Sequence, residues 1–121
     1  MSLEAHCHCG SSRIAVPKIS DRVATCNCSW CARTGAVWGY YKPEEVEILS
    51  SQHDRVYDPN DTNRHHFCGK CSGIMYNDSP EWDLETYEPT GNRIYSVNLR
   101  MIDDIDLGGL SVSVIDGKSS W

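Results

Sequence analysis

The chain has 121 residues, enough for one modest hydrophobic core, so we predict a single domain spanning residues 1–121. Its net charge of -6 argues against nonspecific binding to nucleic acid or to a membrane surface, because both need an excess of Lys and Arg. No apolar run approaches the roughly 18 residues of a membrane-spanning helix, and no signal-peptide pattern is visible, so we expect a cytoplasmic location.

Short strand patterns dominate the chain, and helical periodicity is not sustained anywhere. Strands are predicted, in chain order, at residues 12–16, 22–26, 36–41, 46–49, 64–67, 74–76, 94–99 and 110–115. Turn-forming residues separate them at 58–61, 77–80, 89–92, 108–109 and 116–117. Single helical turns are expected at 43–45, where Pro43 could open the turn, and at 103–106. The predicted fold class is therefore mainly β, with short strands and metal-binding turns.

The cysteines form three closely spaced groups. They follow the spacings C-x-C, C-x-C-x-x-C and C-x-x-C, at Cys7 and Cys9, at Cys26, Cys28 and Cys31, and at Cys68 and Cys71. Thiols one or two residues apart can bind one metal ion from a single turn, whereas a disulfide between such close neighbours is strained. The odd count of 7 and the missing export signal also disfavour a disulfide framework. A thioredoxin-like role for the last pair is disfavoured because no helix pattern follows it. We therefore predict zinc sites, with iron as the alternative for a four-thiolate site.

The 7 cysteines divide into four and three without remainder. Four sulfurs make a closed structural zinc site, whereas three protein ligands leave the exchangeable position of a catalytic site. Spacing alone leaves two partitions open, because the first pair could combine with the last pair or with two of the central three. An ion shared by the first and last pairs would close a loop of about 60 residues and stabilise a small β domain.

Histidines beside the cysteines complicate this count. We interpret His6, His8 and His65 as exposed or strand-facing residues rather than ligands. His66 lies two residues before Cys68 and would share a strand face with it, which makes His66 the best spare ligand candidate.

Three motifs, taken together, resemble a known family. They are Cys7-His8-Cys9-Gly10, then Cys26-Asn27-Cys28-Ser29-Trp30-Cys31 followed by Gly35-Ala36-Val37-Trp38, then Phe67-Cys68-Gly69-Lys70-Cys71, with weaker matches at 95–98 and 116–121. In this order they resemble the glutathione-dependent formaldehyde-activating enzymes and the related centromere protein V domain. The resemblance implies a β-tent, in which short antiparallel sheets are held together by zinc-binding cysteine turns.

The resemblance also implies which cysteines share a metal. The ligands of a structural zinc would be Cys7, Cys9, Cys68 and Cys71. The ligands of a second zinc, which are also the catalytic residues, would be Cys26, Cys28 and Cys31. Three thiolates give that zinc a net charge of about -1, which favours an open or labile site.

The implied reaction is that of a carbon–sulfur lyase or synthase, most directly the formation of S-hydroxymethylglutathione from formaldehyde and glutathione. The partners would be a small-molecule thiol and an aldehyde, with no nucleic acid and no membrane. We expect Arg33 to bind a substrate carboxylate and Trp30, between two site cysteines, to contact the substrate. The chain departs from many relatives at Ala32, where Arg is common, and at Ser72, where Gly is common.

Two other interpretations stay open. The domain could be a noncatalytic zinc-binding β-tent module that binds a protein partner, or its second metal could be purely structural and closed by a histidine. Trp38, Tyr40 and Tyr41 are expected to be core residues or cross-strand pairs, with a pocket wall as the alternative. The acidic residues 103–106 are expected to be a solvated surface, and the pattern gives no prediction of oligomeric state.

Overall fold

The structure, a computed structural model, describes residues 2–83, 85–86 and 88–120, and it is mainly β, as predicted. The strands are β1 (Leu3–His6), β2 (Ser12–Val16), β3 (Val23–Cys26), β4 (Trp38–Tyr41), β5 (Glu47–Ser51), β6 (Asp54–Tyr57), β7 (Arg64–Cys68), β8 (Ile74–Trp82), β9 (Pro89–Asn98) and β10 (Val112–Ile115). The helices are α1 (Ser29–Thr34) and α2 (Gly117–Ser120), and 3-10 turns lie at Pro43–Glu45, Leu99–Met101 and Leu107–Gly109.

The strands form two sheets. A three-stranded sheet has the order β1-β2-β5, and a seven-stranded sheet has the order β10-β3-β4-β9-β8-β7-β6. Neighbouring strands are antiparallel, except that β10 runs parallel to β3. This parallel pair brings Ile115 opposite Cys26. Just beyond, the side chain of Asn27 bonds Asp116 at 3.0 Å and the Lys118 amide at 2.9 Å, so the C-terminal segment lies beside the central cysteine motif.

One hydrophobic core joins side chains of both sheets. Ile14 and Val16 contribute from β2, and Val97 and Tyr41 contribute from β9 and β4. Burial of each such aliphatic side chain contributes about 1.5–3 kcal/mol. Because successive side chains on a strand point to opposite faces, Tyr41 lies in this core while Tyr40 lies on the other face of the large sheet.

Tyr41 is fixed at both ends. Its ring is 3 % exposed in the core. Its hydroxyl accepts a hydrogen bond from the amide of Ser20 at 3.0 Å and donates one to the carbonyl of Lys18 at 2.7 Å. This hydroxyl therefore has a structural role, which contrasts with that of its neighbour on β4.

The face of the large sheet opposite the core carries a line of polar and aromatic residues. The registers place Tyr40 opposite Ser96, Ser96 opposite Asn77, Asn77 opposite His65, and His65 opposite Tyr57. Directly opposed residues share a face, so these five side chains form one line, which we call the polar row. Its three middle members are buried, and helix α1 supplies part of their cover through Trp30.

The strand prediction at 12–16 is confirmed to the residue, and the other predicted strands are present with shifted ends. The turns predicted at 77–80 and 89–92 are wrong, because both segments belong to the long β8–β9 hairpin. An irregularity between Pro80 and Trp82 accommodates the proline there, and Pro89 is the first residue of its strand, where a missing N–H is tolerated. Asp78 also holds this hairpin in place by accepting a hydrogen bond from Arg93 at 2.7 Å.

The single turn predicted at 43–45 is confirmed, whereas the one predicted at 103–106 forms instead at Leu107–Gly109. Strands β1 and β6 and helix α1 were not predicted. Each has only four to six residues, which is too short for periodicity to reveal.

Candidate metal centres

The first and last cysteine groups meet in the structure. The turn after β1 and the turn after β7 bring four sulfurs within 4.8 Å of one another, namely those of Cys7, Cys9, Cys68 and Cys71. Cys9 Sγ lies 3.6 Å from Cys68 Sγ, although the two residues are 59 positions apart. Of the two partitions that spacing left open, the structure therefore has the one that the family resemblance implied. This four-cysteine cluster could hold a metal ion.

Tight backbone turns and amide hydrogen bonds hold these four sulfurs close together. Gly10 has a φ of 79°, which lets its amide donate to the carbonyl of Cys7 at 3.0 Å and closes the first turn. Backbone amides also donate to sulfur, from Ser12 to Cys7 at 3.3 Å and from Lys70 to Cys68 at 3.4 Å. Such bonds stabilise thiolates, the form in which cysteine binds metal.

Cys68 shows the electrostatic result. Burial raises the pKa of its thiol, but hydrogen bonds from the Ser11 hydroxyl and from the amides of Cys71 and Lys70 outweigh burial and lower the pKa to about 5. The lowered pKa favours the thiolate, which is the form of cysteine that binds a metal ion.

Ser72 adopts a left-handed backbone conformation, with a φ of 70°, directly after the last cysteine. A side chain there costs about 1 kcal/mol relative to glycine. We expect Ser72→Gly to raise the free energy of unfolding by about 0.5–1 kcal/mol, measured by urea unfolding of the metal-loaded protein. Ser79→Gly, in the middle of β8, is the control and should destabilise. A Ser72→Gly variant no more stable than wild type would contradict the prediction.

The central three cysteines form a second, separate cluster at the junction of β3 and α1. Their sulfurs lie within 4.8 Å of one another, and no His, Asp or Glu among the described residues joins them. Cys28 is the N-cap of α1, where its Sγ accepts a hydrogen bond from the amide of Cys31 at 3.4 Å. Gly35, with a φ of 66°, ends the helix by donating its amide to the carbonyl of Cys31 at 3.1 Å. All three cysteines are half-buried, whereas Cys7 and Cys68 of the first cluster are buried.

The three thiols differ in acidity. Burial raises the pKa of Cys31 and of Cys26. Burial also raises the pKa of Cys28, but hydrogen bonds from the amide and side chain of Cys31 outweigh it and lower the pKa. The buried Nε1 of Trp38 has no hydrogen-bond partner among the described residues.

Trp30 extends from α1 over the polar row. Its ring stacks on His65 at a centroid distance of 4.3 Å and lies 5.4 Å from Tyr57. His65 Nδ1 lies 2.8 Å from Asn77 Oδ1, so Nδ1 carries the proton of the neutral ring. The central cluster and the polar row therefore belong to one continuous surface region.

Arg22 is a residue of this region that the sequence reasoning missed. Its guanidinium lies 4.4 Å from the centroid of the Tyr40 ring, at the end of the polar row. Only the β3–β4 pairing, in which Tyr40 donates its amide to the Arg22 carbonyl at 3.2 Å, reveals this neighbour.

Arg33, which we expected to bind substrate because it lies two residues after Cys31, is exposed and donates to the carbonyl of Ser29 at 2.9 Å. The substrate-binding roles of Arg33 and Trp30 stay predictions.

The histidine candidates have other partners. His66 Nδ1 lies 2.9 Å from Asp54, and its ring stacks on Tyr76 at 4.2 Å. His6 Nε2 lies 2.8 Å from Asp103. Among the described residues, both groups of candidate ligands consist of cysteine alone.

His65 should make stability depend on pH. Burial lowers its pKa from 6.5, while Asn77 and Asp58 act in the opposite direction. The folded state therefore binds this proton less tightly than the unfolded state, and stability present above pH 6.5 is lost as the pH falls. We expect His65→Gln to flatten this loss between about pH 7.5 and about pH 5.5 in urea unfolding. His53→Gln, at an exposed position, is the control and should keep the wild-type slope. Parallel slopes for all three proteins would refute the prediction.

These features define a small, mainly β protein with two separate cysteine clusters, each able to hold a metal ion. The chain belongs to the family of the glutathione-dependent formaldehyde-activating enzymes, whose model matches residues 2–103. The crystal structure of a Rhodobacter sphaeroides protein, a structural genomics target, is similar, with a TM-score of 0.71 and 21% sequence identity over 93% of this chain and 99% of that chain. At this identity the likeness concerns the fold alone. No curated protein matches the chain.

The family resemblance inferred from the three cysteine motifs is thus confirmed. In addition, none of the helices in the described part of the chain has the length and apolar character needed to cross a membrane.

Proposed function

We propose that the protein is a zinc-dependent carbon–sulfur lyase or synthase that acts on the adduct of a thiol and an aldehyde, most directly S-hydroxymethylglutathione. Membership of the formaldehyde-activating family supports this reaction. The observation that carries the proposal is the central cluster, which offers three half-buried cysteines and no fourth donor among the described residues. Three protein ligands are the pattern of a site that exchanges its remaining ligand.

The donor sets of both clusters fit zinc. Tetrahedral zinc with sulfur ligands at about 2.3 Å needs sulfur atoms about 3.8 Å apart, and the sulfurs of each cluster lie within 4.8 Å of one another. The four-cysteine cluster would hold a structural zinc, and the central cluster would hold the second. When bound there, zinc would lower the pKa of a substrate thiol or polarise an aldehyde oxygen at its free position.

The reaction itself is an addition without net oxidation or reduction. In the synthetic direction the thiol loses its proton, its sulfur forms a bond to the carbonyl carbon, and the carbonyl oxygen gains one proton. Lysis is the reverse. The protein must therefore favour the thiolate, hold the aldehyde beside it, and stabilise charge that develops on oxygen.

The residues around the central cluster suit these tasks. The buried N–H of Trp38 has no hydrogen-bond partner among the described residues, so it would be a donor for a bound ligand. Trp30 covers part of the polar row and would exclude water from one side of a bound adduct. Arg33 follows Cys31 on α1, and Arg22 lies over Tyr40 at the end of the polar row; both would bind the carboxylates of glutathione.

The direct test is NMR exchange spectroscopy on formaldehyde, glutathione and S-hydroxymethylglutathione with zinc-loaded protein. We expect the protein to accelerate exchange in proportion to its concentration, and a chelator that strips the central cluster to abolish the effect. A folded protein with zinc in both clusters that leaves the rate unchanged would reject this reaction and favour a noncatalytic module that binds a protein partner.

A further inference from the structure

We infer that Tyr40 is a further catalytic residue, whose hydroxyl donates a hydrogen bond to the oxygen of the bound adduct. The site would then select a hydroxyalkyl thioether over a plain thioether. This inference rests on the proposed function and deepens it, because it assigns the group that stabilises charge on the substrate oxygen.

Strand register places Tyr40 on the face of the large sheet that carries Cys26. Trp38 lies opposite Ala24 in the β3–β4 pair. Since side chains alternate along a strand, Cys26 shares the face of Ala24, and Tyr40 shares the face of Trp38. Helix α1 then begins directly after the cysteine turn and carries the other two sulfurs over this same face. Tyr40 therefore lies on the same face as the cluster, paired with Arg22, which precedes Cys26 by four residues.

The hydroxyl of Tyr40 is available to a ligand. Among the described residues it has no hydrogen-bond partner, whereas the hydroxyl of Tyr41 has two. The Arg22 guanidinium, 4.4 Å from the centroid of the Tyr40 ring, holds the ring in place and draws electron density from it. A cation over the ring makes the phenol a stronger hydrogen-bond donor.

The surroundings also keep Tyr40 protonated. Burial is the main cause that raises its pKa to about 12, and the charges of the three central cysteines raise it in addition, while Arg22 lowers it. At neutral pH the phenol of Tyr40 is therefore protonated and can donate a hydrogen bond.

The chemical step is an addition to the carbonyl group. As the thiol sulfur bonds to carbon, the carbonyl double bond opens and negative charge develops on oxygen. The Tyr40 O–H donates a hydrogen bond to that oxygen, and the proton released by the thiol ends on it. Tyr40 keeps its own proton, and no oxidant or reductant is needed. Donors of this kind act mainly on the transition state.

Tyr40→Phe tests the inference because it removes one oxygen and keeps the ring beneath Arg22. We expect kcat/KM for the exchange to fall about 100-fold, with unchanged zinc content and unchanged thermal stability. The matched control is Tyr41→Phe, which removes a hydroxyl with two structural hydrogen bonds on the other face of the same strand. That variant should lose stability and keep the wild-type rate.

Calorimetric binding gives a second readout that does not depend on turnover. The probes are S-(2-hydroxyethyl)glutathione and S-ethylglutathione, which differ by one hydroxyl. We expect wild type and Tyr41→Phe to prefer the hydroxyl probe by about tenfold, and Tyr40→Phe to bind both equally. Loss of both rate and preference in Tyr40→Phe supports the inference.

The outcomes separate the two proposals. If wild type is active and Tyr40→Phe keeps its rate within about threefold, the role of Tyr40 is overturned and the proposed function stands. If Tyr40→Phe loses activity but keeps the hydroxyl preference, Tyr40 has a packing role and the inference is overturned. If wild type itself shows no catalysis, the proposed function fails, and the role of Tyr40 in that reaction fails with it.

Discussion

Replacing Cys68 by Ser should leave the purified chain unfolded at room temperature. Cys68 is 0 % exposed, and its sulfur belongs to the cluster that joins the turn after β1 to the turn after β7. Binding of a structural zinc in such a site is coupled to folding by about 10 kcal/mol or more, which is comparable with the whole stability of a small domain. Removal of one ligand also leaves a buried hydroxyl beside the three remaining cysteines.

Circular dichroism and the zinc content per chain would measure this effect. We expect the Cys68→Ser variant to lose the β signal and the cooperative thermal transition, and to retain zinc weakly if at all. The matched comparison is an equivalent Cys→Ser change in the central cluster, which should stay folded. A Cys68→Ser variant that melts cooperatively within a few degrees of wild type would show that the four-cysteine cluster does not support the fold.

The cysteine groups could be identified from the sequence because their signal is local. Ligand spacings of one and two residues are visible without knowledge of the fold, and so is the division into four and three. Which groups share a cluster could not be derived from spacing, since Cys9 and Cys68 are 59 positions apart. Long-range pairing depends on how the sheets assemble, and only the family resemblance supplied it.

His66 illustrates how a local signal can mislead. Its place two residues before Cys68 favoured a ligand role. The structure instead pairs it with Asp54, on strand β6, at 2.9 Å. That strand was not predicted, because its four residues carry two charges and little apolar alternation. Because β6 was not predicted, the sequence offered no partner for His66 other than a metal ion.

The polar row shows the same limit for the candidate site. Tyr40, Ser96, Asn77, His65 and Tyr57 come from five different strands, and only the strand registers place them in one line. Taken singly, each residue is typical of an ordinary half-buried strand position. Their common face, and its contact with Trp30 beside the central cysteines, is a property of the assembled sheet.

Replacing Cys28 by Ser should abolish catalysis of the exchange and leave the fold intact. Cys28 is half-buried and lies outside the hydrophobic core, so its replacement changes the buried apolar surface very little. Serine is also a favourable N-cap residue, and its hydroxyl can accept the amide of Cys31 as the sulfur does at 3.4 Å. Two sulfurs no longer form a zinc site of useful affinity, so we expect the rate to fall by more than about 100-fold.

Three measurements on one preparation decide this prediction. NMR exchange should show the loss of rate, metal analysis should show that one of the two zinc ions is gone, and thermal unfolding should match wild type within a few degrees. Cys28→Ala is the matched control for the cap, because it removes the hydrogen-bond acceptor as well and should cost about 1 kcal/mol more in stability. If Cys28→Ser is unfolded, as we expect of Cys68→Ser, the central cluster has a structural role. A Cys28→Ser variant that keeps the wild-type rate would place the chemistry elsewhere. If the central cluster is an exchangeable three-thiolate centre, the variant should be folded, should bind one zinc ion and should be inactive. In such a centre the loss of a ligand stops the reaction but does not unfold the protein.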